Sequence, residues 1–549
     1  MSVARGTMTA MRLVQIAETS AAVAATRSRL AKREALAATL RAAADDGPDD
    51  VALATRYLAG QLRQRRTGLG WRSLAGLPGP AAEASLTLVE VDAAFETMAS
   101  LSGAGSASAR TAAAARLFGA ATAVEQRLLR GLVTGELRQG ALDALVLDAV
   151  AAAAAVPEAA VRRAAMLAGD SAPVAVAALS APDSAGALAA LEQFGLTVGR
   201  AVRPMLAQSA PDVAAAFTSL GVDGAADRPA VVDVKLDGIR IQVHRDGDEV
   251  RVFTRSLDEI TDRVPEVVAA VRSMPAQSLV LDGEALSLDA NGRPRPFQET
   301  SSRTATRDAD VAAGTALTPF FFDVLHLDGR DLLDAPLRER LAVLDSIAAG
   351  HVVQRLVTAD AAEAQQQFAA WVAAGQEGVV VKAVDAPYEA GRRGAAWVKV
   401  KPRHTLDLVV LAVERGSGRR AGLLSNIHLG ARDGSGGFVM LGKTFKGMTD
   451  AMLAWQTERF RELAVDDDGW VVHLRPEQVV EVAFDGLQRS SRYPGGVALR
   501  FARVLRYRDD KPADQADTIE TVLALAGPVR TDDDGPADAP SDDAGSADG

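Results

Sequence analysis

The chain has 549 residues, 48% of them hydrophobic and 24% charged, with a formal net charge of −11 and no cysteine. That length exceeds what one core supports and implies roughly three or four domains, while the absence of cysteine excludes disulfides, thiol nucleophiles and Cys-ligated zinc together. Six scattered histidines offer no metal cluster, no apolar run reaches the length of a membrane span, and the start lacks a signal peptide's charged, apolar and cleavable parts, so a cytoplasmic protein with no membrane partner is expected. The charge is unevenly placed. From Pro528 to Gly549 seven Asp face one Arg in a segment of Asp, Ala, Gly, Ser and Pro, a composition that cannot build a core and predicts a disordered acidic tail. Residues 1–200 carry twenty Lys and Arg against eighteen Asp and Glu, which leaves room for a basic surface there.

From Met8 to about Leu196, helical spacing of apolar residues, as in Leu13, Ile16, Ala22 and Val23 or Leu128, Leu129 and Leu132, predicts an all-α domain. Breaks rich in Gly, Pro, Ser or Asp fall at 45–50, 68–80, 102–108 and 169–173. Thr134-Gly135-Glu136-Leu137-Arg138-Gln139-Gly140 reads as a Gly-bounded turn opening a helix, where backbone N–H groups beside Arg138 suit a phosphate. A capped helix start with a solvated arginine fits the same residues equally well. After Arg200 the composition changes. Arg203-Pro204-Met205-Leu206-Ala207 ends the helical part, and strands are expected at 249–254, 279–288, 318–327, 377–382 and 396–401, separated by helices at 257–273, 336–349 and 360–374. This is an α+β core of about two hundred residues. From about Thr405 the pattern is nearly all β, with strands near 406–414, 422–431, 437–442 and 479–484. Its rhythm fits a small closed barrel of the oligonucleotide-binding type.

The chemistry centres on Val231-Val232-Asp233-Val234-Lys235-Leu236-Asp237-Gly238-Ile239-Arg240. A β-branched run delivers Lys235 to a strand end, and an Asp-Gly turn leads into a second alternating run, Ile239, Ile241 and Val243. A lysine amine attacks phosphorus only when unprotonated, a state that partial burial and a cationic neighbour favour, and Arg240 is the candidate neighbour. Taken alone, a strand-end lysine beside an Asp-Gly hairpin is more often surface decoration. Downstream, however, charged residues recur at strand ends in series: Arg255-Ser256, Asp282-Gly283-Glu284, Phe322-Asp323, Glu377 to Lys382, and Trp397 to Lys401. Cations neutralise phosphate oxygens and carboxylates hold Mg²⁺, so such a collection suits a phosphate-and-metal site.

These strings resemble the six motifs of ATP-dependent DNA ligases, members of the covalent nucleotidyltransferase superfamily. Lys235-Leu236-Asp237-Gly238 is similar to motif I, Asp282-Gly283-Glu284 to III, Phe322-Asp323-Val324-Leu325 to IIIa, Glu377 to Lys382 to IV, and Trp397 to Lys401 to V. Motif VI resembles Leu499-Arg500-Phe501-Ala502-Arg503 continuing through Arg506 to Arg508-Asp509-Asp510-Lys511-Pro512. The likeness covers about residues 8–525 and is closest to the single-chain ligases of high-GC bacteria and archaea. It implies a helical DNA-binding domain at 1–200, an adenylation domain at 201–404, an oligonucleotide-binding domain at 405–527 and the acidic tail at 528–549. It further implies Lys235 as the adenylated nucleophile, with ATP as AMP donor. Asp233, Arg240, Arg255, Glu284, Phe322, Arg393, Lys399, Lys401, Arg508 and Lys511 are implied as nucleotide-binding residues, with Phe322 stacked on adenine and Asp510 beside Arg508 and Lys511. Glu284 and Glu377 are implied as Mg²⁺ ligands, and Arg138 and Gly140 as DNA contacts. The expected partner is nicked double-stranded DNA, bound by a monomer in the cytoplasm at the nucleoid, in replication, repair or recombination. Asp233 stands where many relatives carry Glu, and Leu236 where many carry Tyr; neither departure removes a reacting group. Rival readings are an RNA ligase, a capping guanylyltransferase, which needs no helical leader, and a non-catalytic nick-binding scaffold, which needs none of the charged motif residues. NAD-dependent ligases carry a Cys-ligated zinc module, which this chain cannot form.

Overall fold

The computed structural model describes residues 10–525 except 65, 138, 140–142, 223, 225–227, 291, 296, 306–315, 390–392, 403 and 418–419. It divides into two units whose boundary in sequence lies between Val400 and Lys401. In the first unit, ten α-helices run from Leu13–Ala25 to Ser184–Glu192 among the described residues. The apolar spacing explains their packing: Leu13, Ile16, Val23, Leu128, Leu129 and Leu132 enter one buried cluster, whereas Ala22 faces outward. Local chemistry sets the ends. The Thr87 hydroxyl accepts from the Glu90 N–H at 3.3 Å while the Glu90 carboxylate accepts from the Thr87 N–H at 2.9 Å, a reciprocal cap for the helix Leu88–Ser100. The break expected at 45–50 shrinks to Gly47, because Pro48 at the first position starts the next helix, Pro48–Leu58, at once. The turn expected to open a helix at 134–140 lies between two: the helix Asp143–Ala154 follows it, and it also ends the one before. Gly135, at φ 69°, closes the helix Ala123–Thr134, since only a residue without Cβ adopts that left-handed cap freely. Arg138 and Gly140 lie outside the described residues. No helix among those described is long and apolar enough to cross a membrane.

Among the described residues ten strands follow in the same unit: β1 Leu206–Ser209, β2 Ala230–Lys235, β3 Ile239–Asp246, β4 Glu249–Thr254, β5 Ser278–Ser287, β6 Leu317–Leu327, β7 Arg330–Asp331, β8 Arg355–Thr358, β9 Gly378–Ala383 and β10 Arg393–Val400. They make two sheets, ordered β1-β10-β9-β2-β8 and β4-β3-β5-β6-β7. The expected strands and the helices Leu337–Ile347 and Ala361–Ala373 are present near their predicted places. The helix expected at 257–273 is confined to Pro265–Arg272, because Leu257 takes a left-handed φ of 64° and Pro265 then sets the helix start. The Asp237-Gly238 hairpin is not formed. β2 pairs with β8 and β9, and β3 pairs with β4 and β5, so Asp237-Gly238 carries the chain from one sheet to the other. The crossing is tight: a Cβ on Gly238 would lie 2.5 Å from the Ala285 carbonyl oxygen, so glycine is required there.

The second unit contains β11 His404–Arg415, β12 Leu424–Arg432, β13 Phe438–Thr444, β14 Ala464–Asp467, β15 Val471–Leu474, β16 Val479–Phe484, β17 Gly486–Arg489, β18 Val497–Arg500 and β19 Arg503–Tyr507. Pairing runs β13-β12-β11-β15-β14, with β16 on β11 and β19 on β16, and β17 pairs β18 apart from it. This is a sheet domain whose ladder does not close on itself among the described residues. Nor is it nearly all β. The 14-residue helix Asp450–Leu463 buries Leu453, Gln456, Thr457, Phe460 and Leu463, spaced three or four apart on one face. The acidic tail lies outside the described residues.

Candidate active site

Antiparallel pairing of β2 with β9 sets Lys235 opposite Gly378, and the Glu377 N–H donates to the Lys235 carbonyl at 3.2 Å. The half-buried Lys235 ammonium is thereby brought onto the Glu377 carboxylate, 142 residues away in sequence, with which it forms an ion pair. Lys235 thus meets a carboxylate where the sequence predicts a cationic neighbour, Arg240. The Arg240 guanidinium is committed to Asp282, through Nε at 3.0 Å and Nη2 at 2.7 Å, and to the Met205 carbonyl at 2.6 Å. The carboxylate that holds it is reached diagonally: β3 and β5 pair with Arg240 opposite Glu284 and Gln242 opposite Asp282, so Arg240 and Asp282 share one face of adjacent strands.

Glu284 lies inside this cluster. Burial pushes its carboxyl up to about 7, helped by the Glu377 and Asp282 carboxylates and opposed by Lys235 and Arg240. That mutual influence marks the five groups as one electrostatic site. Asp233, two residues before Lys235 on β2, is buried and paired with Lys382 at 2.5 Å and Arg355 at 3.6 Å. Lys382 in turn lies 4.7 Å from the Phe322 ring centre and 4.5 Å from that of Trp397, which meet edge to face at 5.8 Å. The alternation of β6 decides which phenylalanine serves: Phe321 is wholly buried beneath the sheet, while Phe322 is on the site side. An amine, three carboxylates, a guanidinium and an aromatic pair over a cation form a surface able to bind a nucleotide and to transfer part of it to nitrogen.

Other predicted residues are placed differently. Arg255 is exposed in the turn after β4, and Lys399 is half-buried on β10 opposite Val380. Arg393 begins β10, and its side chain lies outside the described residues. Lys401 opens the second unit, where it pairs with Asp485 at 3.4 Å. In that unit Arg508 and Lys511 share Asp407 at 2.9 and 2.7 Å, and Arg508 also holds Asp510 through two bonds of 2.8 Å. The sequence places Asp282 and Lys382 in motif strings without assigning them partners, and it does not single out Tyr388 at all. The local signal of Tyr388 is that the chain has just 4 tyrosines, one of them between motifs IV and V.

Comparison with known proteins decides the family. Residues 204–401 match the family described as ATP dependent DNA ligase domain, residues 420–511 the ATP dependent DNA ligase C terminal region, and residues 76–151 the DNA ligase N terminus. A probable DNA ligase of Beutenbergia cavernae is 73% identical over 517 residues, covering 94% of this chain and 100% of its own. The chain belongs to the ATP-dependent DNA ligases. A probable DNA ligase of Kineococcus radiotolerans is 64% identical over 518 residues, again covering 94% of this ligase and 100% of the relative. The ligase shares its fold with the solved structure Pmar-Lig_PreS3, at TM-score 0.59 and 19% identity, over 90% of this chain and 99% of that one. It is thus an enzyme that binds ATP and DNA, with a helical N-terminal region, a nucleotidyltransferase core and a C-terminal sheet domain.

Proposed function

We propose that this ligase seals nicks in duplex DNA through an adenylated Lys235. The observation that carries this reading is the convergence of Lys235, Glu377, Glu284, Arg240 and Asp282 at facing ends of two sheets. The Lys235 amine attacks the α-phosphate of ATP, forming an N–P bond as the bond to pyrophosphate breaks. AMP then passes to the 5′-phosphate at the nick, and the 3′-hydroxyl attacks that phosphate to join the strands and release AMP. Splitting one condensation into activated steps is the logic of covalent catalysis, and the other side chains orient reactants and neutralise charge.

Asp233 and Lys382 together face the adenine, with Phe322 stacking on it; Arg240, Arg255, Arg393, Lys399 and Lys401 take phosphate and ribose oxygens. Glu284 and Glu377 fit a Mg²⁺ site, since two carboxylates beside a phosphate-binding amine match a cation that takes one or two protein carboxylates and completes its shell with phosphate and water. When bound, Mg²⁺ supplies positive charge to the phosphate oxygens. Glu377 meanwhile orients the Lys235 amine toward the phosphate and accepts the proton that the ammonium loses before attack. Arg508, Asp510 and Lys511, on an oligonucleotide-binding domain at 405–527, orient the departing pyrophosphate. The helical domain at 1–200, with Arg138 and Gly140, and the adenylation domain at 201–404 grip the duplex mainly through its backbone, without sequence preference. The enzyme acts as a cytoplasmic, nucleoid-associated monomer in replication, repair or recombination, with its acidic tail at 528–549 disordered.

Incubation with labelled ATP and Mg²⁺ is expected to leave AMP on the protein. Lys235→Ala is expected to abolish the adduct, as is Lys235→Arg, whose guanidinium stays protonated. An adduct of undiminished yield in Lys235→Ala would overturn the assignment.

A further inference from the structure

The polar face of β3 carries a pattern distinct from its buried Ile241 and Val243. By the two-residue period of a strand, Arg240, Gln242 and His244 share one face, and each grips the segment that leaves the helical region. His244 Nδ1 accepts from the Gly199 N–H at 3.1 Å, Gln242 exchanges bonds of 2.8 and 3.1 Å with the Val202 backbone, and Arg240 Nη1 donates to the Met205 carbonyl at 2.6 Å. At Met205 these contacts close into a ring. The Met205 N–H donates to the Tyr388 hydroxyl at 3.0 Å, that hydroxyl donates to Asp282 Oδ2 at 2.7 Å, Asp282 holds the Arg240 fork, and Arg240 returns to Met205. Tyr388 is buried, and its ring meets Trp397 edge to face at 6.0 Å. Trp397 and Phe322 flank the Arg240 guanidinium at 5.8 and 5.5 Å.

We propose that Tyr388 is a positioning residue for nucleotidyl transfer, its hydroxyl locking Met205 and Asp282 together so that Arg240 points in one direction. The proposal rests on reading Arg240 as a nucleotide- and phosphate-binding group. A forked pair between Arg240 and Asp282 fixes the two groups relative to each other, and the Arg240 bond to the Met205 carbonyl holds that unit at one end while leaving its Asp282 end free to pivot. The Tyr388 hydroxyl removes that freedom by anchoring Asp282 to the backbone that arrives from the helices. Burial beside Asp282 keeps the phenol protonated far above its ordinary range, so it remains a donor at any working pH. Tyr388 touches no reacting atom. It acts through Asp282 and Arg240.

A double-mutant cycle on the full-length ligase tests this, with adduct formation from labelled ATP and sealing of a pre-adenylated nick measured separately. Tyr388→Phe keeps the ring and removes only the hydroxyl with its two hydrogen bonds, to Met205 and Asp282, and is expected to slow whichever step Arg240→Ala slows by about tenfold. In an Arg240→Ala background the same change is expected to matter less than about twofold, because the group it positions is gone. Equal losses in both backgrounds would mean a merely structural tyrosine and overturn the proposal, as would a harmless Tyr388→Phe. If Arg240→Ala leaves both steps intact, the reading of Arg240 falls first and the positioning role falls with it. Should Tyr388→Phe fail to fold, Asp282→Asn, which keeps size but releases the fork, is expected to show the same dependence on Arg240, and additivity there overturns the proposal equally.

Discussion

Arg240 in the core and Arg508 in the C-terminal unit each offer a two-pronged guanidinium to an aspartate, but their partners come from different places. Asp282 lies on a neighbouring strand, 42 residues away, and is 1% exposed. Asp510 is two residues from Arg508 and 62% exposed, and the second partner, Asp407, is shared with Lys511. A buried pair built from separate strands holds its geometry because breaking it strands a charge away from water. A local pair at the surface exchanges partners readily, since water and salt replace what is lost. The first kind of site fixes where reactants lie. The second suits a group proposed to grip pyrophosphate and let it go.

The largest expected effect probes the fixed charges. Arg340 and Asp323 are wholly buried and joined at 2.7 and 3.0 Å, so Arg340→Ala is expected to destabilise the core by about 3–5 kcal/mol. Urea unfolding measures it, with Arg508→Ala expected to leave the midpoint nearly unchanged. Comparable shifts for the two would erase the contrast between the regions.

Titration sharpens it next. Burial pushes His244 down to about 3 from 6.5, and its Nδ1 already accepts from Gly199, so the folded protein refuses a proton that the unfolded chain binds. Stability is therefore full above pH 6.5 and lost progressively as pH falls toward 3, by up to about 5 kcal/mol. Glu284, raised by burial from 4.5 to about 7, has the opposite slope: its folded form keeps a proton the unfolded chain has released, and stability falls as pH rises from 4.5 to 7, by at most about 3 kcal/mol. Unfolding midpoints between pH 4 and 8 are expected to lose the acid slope in His244→Gln and the neutral slope in Glu284→Gln; parent-like profiles would contradict both assignments.

For the exchangeable charges the readout is kinetic. Lys511→Ala is expected to slow adduct formation by about tenfold while changing sealing of a pre-adenylated nick less than about twofold, because pyrophosphate has left by then. A variant impaired only in sealing would misplace the role of this segment. The smallest effect belongs to the tail: removing 528–549 is expected to leave adenylation intact and to tighten nick binding by no more than about twofold at low salt. Loss of adenylation on that deletion would show that the tail takes part in the site.

The sequence by itself determined much of the local order. Alternation set Ile241 and Val243 inside β3, helical spacing set Leu128 and Leu129 inside the leader, and the serial motifs marked Lys235, Glu284 and Glu377 as parts of one chemistry. The helix Asp450–Leu463 was equally legible from its apolar spacing and was overlooked among strand signals. What only the tertiary structure decided is which strands are neighbours. The step from β2 to β3 looks like a hairpin locally but joins two sheets, and nothing within ten residues of Lys235 announces Glu377 as its partner, or Asp282 and Tyr388 as the partners of Arg240. Strand pairing satisfies backbone groups that are alike in every residue, so register and adjacency are chosen by packing across the whole core. Local sequence carries the chemistry of each group; its neighbours are set by contacts a hundred residues away.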